Sequence, residues 1–149
     1  MSNQYILIAI ALLVGAVLPL QVGVNSKLAD SVGSPLLSAL LSFCVGTLAL
    51  LTYIIIAGVP LANAAEARNA PPVAWVGGLL GAFFVAVSII LLPKLGVAMT
   101  VSLIIAGQML MSVVMDHFGL LGVPVREVTF ARFGGILLIT AGVILVRKY

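Results

Sequence analysis

Residues 5–25 read YILIAIALLVGAVLPLQVGVN, an apolar run without one acidic or basic side chain. A helix rises about 1.5 Å per residue, so a run of this length covers a hydrocarbon core of about 30 Å. The run does not alternate as a barrel strand would, and it is apolar all round rather than on one face. It predicts a membrane-crossing helix. Charges and Pro/Gly pairs cut the rest of the chain into segments of the same kind. Lys27 and Asp30 follow the first, and Gly33-Ser34-Pro35 opens a second over 36–57 that stops at Gly58-Val59-Pro60. Leu61 to Pro72, with Glu66 and Arg68, is too polar to span and reads as a loop. A third segment, 73–92, carries Trp75 at the depth of the aromatic belt and stops at Pro93-Lys94. A fourth, 97–115, ends at Asp116-His117, and a fifth, 128–146, closes on Arg147-Lys148. The expected fold is an all-α membrane protein, one transmembrane domain over 1–149 with five helices.

Composition requires the same solvent. The chain is 63% hydrophobic and 7% charged, with a mean hydropathy of +1.34, against about 25% charged residues in soluble domains. Seven Lys+Arg against four Asp+Glu leave a charge of +3, but the basic residues are scattered singly, so no phosphate-tracking surface for nucleic acid forms. Cys44 stands alone, which excludes an intramolecular disulfide and a cysteine metal site. No nucleophile with a nearby base, metal-ligand cluster or phosphate-binding glycine loop is apparent, so an enzyme, a metal and a cofactor are not expected.

The basic residues do not choose an orientation. With five crossings, Arg68, Arg126 and Arg132 fall on the side of the N-terminus, and Lys27, Lys94, Arg147 and Lys148 on the other. Cytoplasmic loops normally hold a clear excess, so a near-tie points to insertion both ways round or to orientation set by a partner chain. Alternating access is usually built from two inverted repeats. Two copies inserted in opposite senses supply them, which leads to the expectation of an antiparallel homodimer of ten helices, or a pair with an oppositely oriented paralogue. Ala131, Gly135 and Gly142 offer that dimer a small-residue seam on the last helix. The alternative for the same seam is packing within one protomer.

Polar groups at membrane depth are the candidate site. Pro19 cannot donate to the carbonyl of Gly15, and a kink or unwound turn there exposes backbone oxygen near the midplane. Gln21 and Asn25 share a face one turn later, and Ser42 lies in the second segment. In the fourth, Gln108, Met111 and Ser112 fall on one stripe, with Gln108 close to the midplane. Burying an unpaired amide in lipid costs several kcal/mol, so Gln108 faces protein, water or a solute. These residues predict a site for a small polar or amphiphilic solute between Pro19, Asn25 and Gln108. Asp116 and His117 are adjacent and read as a gate or proton relay at one mouth, or as a helix end in the headgroup region. Arg132 is expected to snorkel or to pair at the interface.

These residues together resemble a known family. Gln21-x-x-x-Asn25, Gly33-Ser34-Pro35, Ser42-Phe43-x-x-Gly46, Gly96, Gly107-Gln108 and Asp116-His117-Phe118-Gly119 are similar to the YdcZ-type proteins of the drug/metabolite transporter (DMT) superfamily. The likeness runs along essentially the whole chain. The stretch from Gly135 to Val143 also resembles the dimerising last helix of the small multidrug resistance proteins. The resemblance implies a multi-pass protein of the bacterial inner membrane, paired with itself or a sister chain in opposite orientation. One departure limits it: those small exporters use a membrane-embedded glutamate in the first helix, and Tyr5 to Ser26 holds no acid. The expected function is transport or export of a small metabolite in the lipid bilayer. The competing reading is a structural or regulatory membrane subunit that transports nothing.

Overall fold

In the computed structural model, which describes the backbone of residues 2–148 and the side chains of residues 4–146, helices α1 (Ser2–Val32), α2 (Pro35–Ile56), α3 (Val76–Leu95), α4 (Val97–Phe118) and α5 (Phe130–Lys148) follow one another with no strand among the described residues. Short 3-10 turns at Leu61–Asn69, Pro72–Trp75 and Leu120–Gly122 fill the connections. The first four helices are long and apolar enough to cross a membrane, whereas the apolar part of the fifth, Phe130–Val146, is shorter. Residues 1–93 and 94–149 form two compact units.

Each sequence boundary shifts for a reason in the backbone. The first helix, expected to stop at Asn25, continues through Lys27 and Asp30 to Val32, because charge ends contact with lipid but does not end a helix. It stops where Gly33 takes φ +70, a left-handed conformation that residues with a Cβ resist. Ser34 then caps α2, its Oγ accepting from Leu37 N at 3.3 Å, with Pro35 in the first turn. The third helix starts at Val76, after a 3-10 turn over Pro72–Trp75 rather than at 73, and runs past Pro93 to Leu95. The fourth extends beyond Met115 to Phe118 and is closed by Gly119 in the left-handed region, whose N–H bonds Met115 O. The fifth begins at Phe130, not 128, because Thr129 acts as its cap: Thr129 Oγ1 accepts from Arg132 N at 3.3 Å. The helix α1 passes through Pro19 without interruption, so the unwound turn expected at Gly15–Pro19 is absent. Neighbouring carbonyls in a long lipid-exposed helix tolerate one missing N–H at modest cost.

In the first unit, α1 and α2 lie antiparallel across the Gly33 turn. Counting outward from that turn places Ala29 beside Ser34, Asn25 beside Ser38 and Gln21 beside Ser42. The first two rungs are seen directly, as Ser34 N donates to Ala29 O at 3.2 Å and Ser38 Oγ to Asn25 O at 2.6 Å. The helix α3 joins through Ile89, which is buried with Ala29 and Ala39 while Val85 and Ala86 pack against them. Small residues let the backbones come close, the driving force where lipid gives no hydrophobic gain. Gly81 belongs to this packing, since a Cβ there would touch the Phe43 ring at 3.6 Å. In the second unit α4 packs along α5. Long rows of leucine, isoleucine and phenylalanine remain exposed on both units, up to Phe130 at 99%. Surface of that character suits lipid or another membrane chain.

Candidate functional site

Two recesses, mostly apolar but each holding polar side chains, contain Gln21, Ser42, Gln108, Met111, Ser112 and Asp116 of the predicted site, one recess within each unit. In the first, Gln21 of α1 meets Ser42, Phe43, Gly46, Thr47 and Leu50 of α2 around about 220 Å³. It lies next along the same seam after the Asn25–Ser38 rung. There the Ser38 hydroxyl is spent on Asn25 O, while Asn25, 5% exposed, has a side-chain Nδ2 without a hydrogen-bond partner. A buried amide donor left unmet costs about 1–3 kcal/mol. Gly15 and Pro19 do not line the recess. Ser88 of α3 donates to its own backbone at Phe84 O, 2.6 Å, the usual fate of a mid-helix serine.

The second recess, about 360 Å³, is lined by Gln108, Met111, Ser112, Met115, Asp116 and Val123. Its polar groups follow the helix: Gln108, Ser112 and Asp116 are four residues apart, one above another on α4. Met111 and Met115 add an unbranched, polarisable wall that adapts to the shape of a guest. Val123 arrives from the connection after Gly119, where the chain turns back and Arg126 N bonds Asp116 O at 2.8 Å.

Asp116 is not paired with its neighbour His117. Its Oδ2 instead accepts from Arg132 Nη1 at 3.2 Å, across the turn from α5, and each side chain is about one third exposed, 32% and 31%. The same nitrogen also reaches Arg126 O at 3.4 Å. The His117 ring lies edge-on against Phe118 with centroids 4.8 Å apart, while Asp116 joins α4 to α5 through its ion pair. Sequence spacing gave no sign of this partner, because Asp116 and Arg132 meet only through the turn between α4 and α5. Ser38, Thr47 and Val123 were likewise missed, although the repeat Ser34, Ser38, Ser42 at four-residue steps was a readable signal for the first two helices.

On α5, a Cβ built at Gly135 or Gly142 meets nothing within 4 Å. The small-residue seam is therefore not consumed at those two positions by packing inside the chain. The same holds at Gly77 of α3. Among the described residues no cluster of three or more His, Cys, Asp or Glu is placed to hold a metal.

Apolar helices, recesses holding polar side chains and an Asp116–Arg132 ion pair characterise the chain. Residues 6–145 match the family described as "Putative inner membrane exporter, YdcZ". The chain belongs to that family. It is also 27% identical to the inner membrane protein YdcZ of Escherichia coli (strain K12) over 149 residues, covering 98% of both chains. No solved structure matches. Like the E. coli relative, this YdcZ-family chain is a multi-pass protein of the bacterial inner membrane, as the apolar spans and the resemblance implied.

Proposed function

We propose that the chain is a small-solute exporter that works as a pair of oppositely inserted copies, each crossing the membrane five times. The observation that carries this is the second recess: an amide, a hydroxyl, a carboxylate and two thioethers gathered at one hollow on a helix that otherwise presents hydrocarbon. Such a concave site with a few placed polar groups and an adaptable apolar wall is the ordinary form of a small-molecule site. Gln108 fixes the orientation of the solute, Met111 and Ser112 line its path, and Asp116, held by Arg132, stands at the mouth. Gln21, Ser42 and Asn25 provide a second polar surface in the other unit. Membership of a family described as an inner membrane exporter supports export.

The pairing is supported by three features. The apolar part of the fifth helix, Phe130–Val146, is about 26 Å long at 1.5 Å per residue, within a few ångström of the core thickness. Taken as a crossing, it is the fifth and puts the termini on opposite sides. The basic residues then divide almost evenly, and the Gly135 and Gly142 face is open for a second helix.

Metabolite-wide efflux from cells with and without the protein tests the reading. Cells producing it should release a set of small polar or amphiphilic compounds faster than cells lacking it. Gln108→Leu, which replaces the amide with a side chain of similar size, should reduce that release by about tenfold, the loss of one hydrogen bond to the solute. Equal release from all three strains would contradict it.

A further inference from the structure

Asp116 is the only acid lining either recess, and it sits at an electrostatically unfavourable place. It lies in the last turn of α4, where the exposed carbonyls of the helix end disfavour a carboxylate. Its partner holds it loosely: a single Arg132 nitrogen, shared with the Arg126 carbonyl, reaches one carboxylate oxygen at 3.2 Å, rather than the two-pronged grip of which a guanidinium is capable. A pair with each side chain about one third exposed is weak and open to exchange. Beside the carboxylate stand the sulfur-bearing side chains of Met111 and Met115, and Ser112 and Gln108 follow along the helix.

From this arrangement we infer that Asp116 is an exchangeable counter-charge. Arg132 occupies it in the empty protein, and a small organic cation of the alkylammonium class displaces Arg132 and lies along Met111 and Met115 with its polar end toward Ser112 and Gln108. The carboxylate always faces a cation, first Arg132 and then the ligand, while the displaced guanidinium, about one third exposed, is taken up by water. A neutral solute of the same shape gains no such contact. This inference rests on the α4 recess being the solute site and adds the charge of its occupant.

The test is equilibrium binding to the whole protein in nanodiscs of phosphatidylethanolamine and phosphatidylglycerol, which carry no choline headgroup to compete. The probes are choline and its uncharged carbon isostere, 3,3-dimethylbutan-1-ol. Choline should bind about ten- to a hundredfold more tightly than the isostere, the worth of one charge-assisted contact. Asp116→Asn keeps an oxygen for Arg132 and the volume of the side chain, and should bring choline down to the isostere. Arg132→Gln removes the competitor and should tighten choline about three- to fivefold while leaving the isostere unchanged. A merely structural ion pair would weaken both probes in both variants. Choline and isostere binding alike, choline indifferent to Asp116→Asn, or no choline bound by wild type and Arg132→Gln would each overturn the inference. Should Arg132→Gln not fold, Asp116→Asn decides alone. Efflux that still depends on Gln108 alongside any of those results would leave the exporter reading standing.

Discussion

Gly119→Val is expected to abolish accumulation of the protein in the membrane. Gly119 ends α4 with φ +60 and ψ 32, in the left-handed region, where a residue with a Cβ pays about 1–2 kcal/mol. A Cβ there would also lie 2.7 Å from Val125 Cγ2 and 3.4 Å from Val123 O. One of these neighbours is backbone, and the other belongs to the strand of chain whose next residue, Arg126, bonds Asp116 O. Relief of the overlap therefore moves the connection that brings Val123 and Arg132 to the end of α4. The following turn is already strained, with Leu121 at φ 58, so it has little freedom to absorb the shift. Together the terms exceed about 3 kcal/mol, a large fraction of the stability of an ordinary domain. Immunoblotting of membranes, and the melting temperature of any protein recovered in detergent, measure the effect. Wild-type abundance and melting would show that the turn is not needed.

The double substitution Gly135→Leu, Gly142→Leu is expected to split the proposed dimer while leaving each protomer folded. Membrane helices associate through close backbone approach, and a bulky side chain at the point of closest approach removes that contact. Within one chain the new side chains meet open space, since nothing lies within 4 Å of either Cβ position. Helix content and protomer melting should stay close to wild type, and leucine is a better helix former than glycine by up to about 1 kcal/mol per position. Mass measurement in detergent or nanodiscs should change from two copies to one. A variant that stays dimeric would move the interface to another face, and one that unfolds would make the seam part of the protomer.

The spans were legible in the sequence because lipid imposes a length and a composition that charges interrupt visibly. Where each helix stops was not, because Lys27 and Asp30, or Asp116 and His117, mark the edge of the hydrocarbon rather than the end of hydrogen bonding. The true stops depend on Gly33 and Gly119 entering the left-handed region, and the true start of α5 on the hydroxyl of Thr129. The α4 recess was largely readable, since Gln108, Met111, Ser112, Met115 and Asp116 belong to one helix and helical periodicity alone brings them together. The Asn25–Ser38 rung and the Asp116–Arg132 pair join different helices across a turn, and the register of each turn had to be known first. Of the two expectations at Pro19, a kink or an unwound turn, the unwound turn is not seen, because α1 stays continuous through that residue.

That two copies lie in opposite senses is the claim on which the transport reading depends, and labelling of a single thiol in intact cells tests it most directly. Cys44 is exposed, so it is first replaced by serine, and Ala64→Cys then places the reporter in the exposed connection between α2 and α3. A membrane-impermeant maleimide should modify about half of the molecules, with the remainder modified only after the membrane is opened, as expected of a chain whose basic residues select neither side. Modification of nearly all or nearly none before opening would mean a single orientation, and would contradict the antiparallel pair.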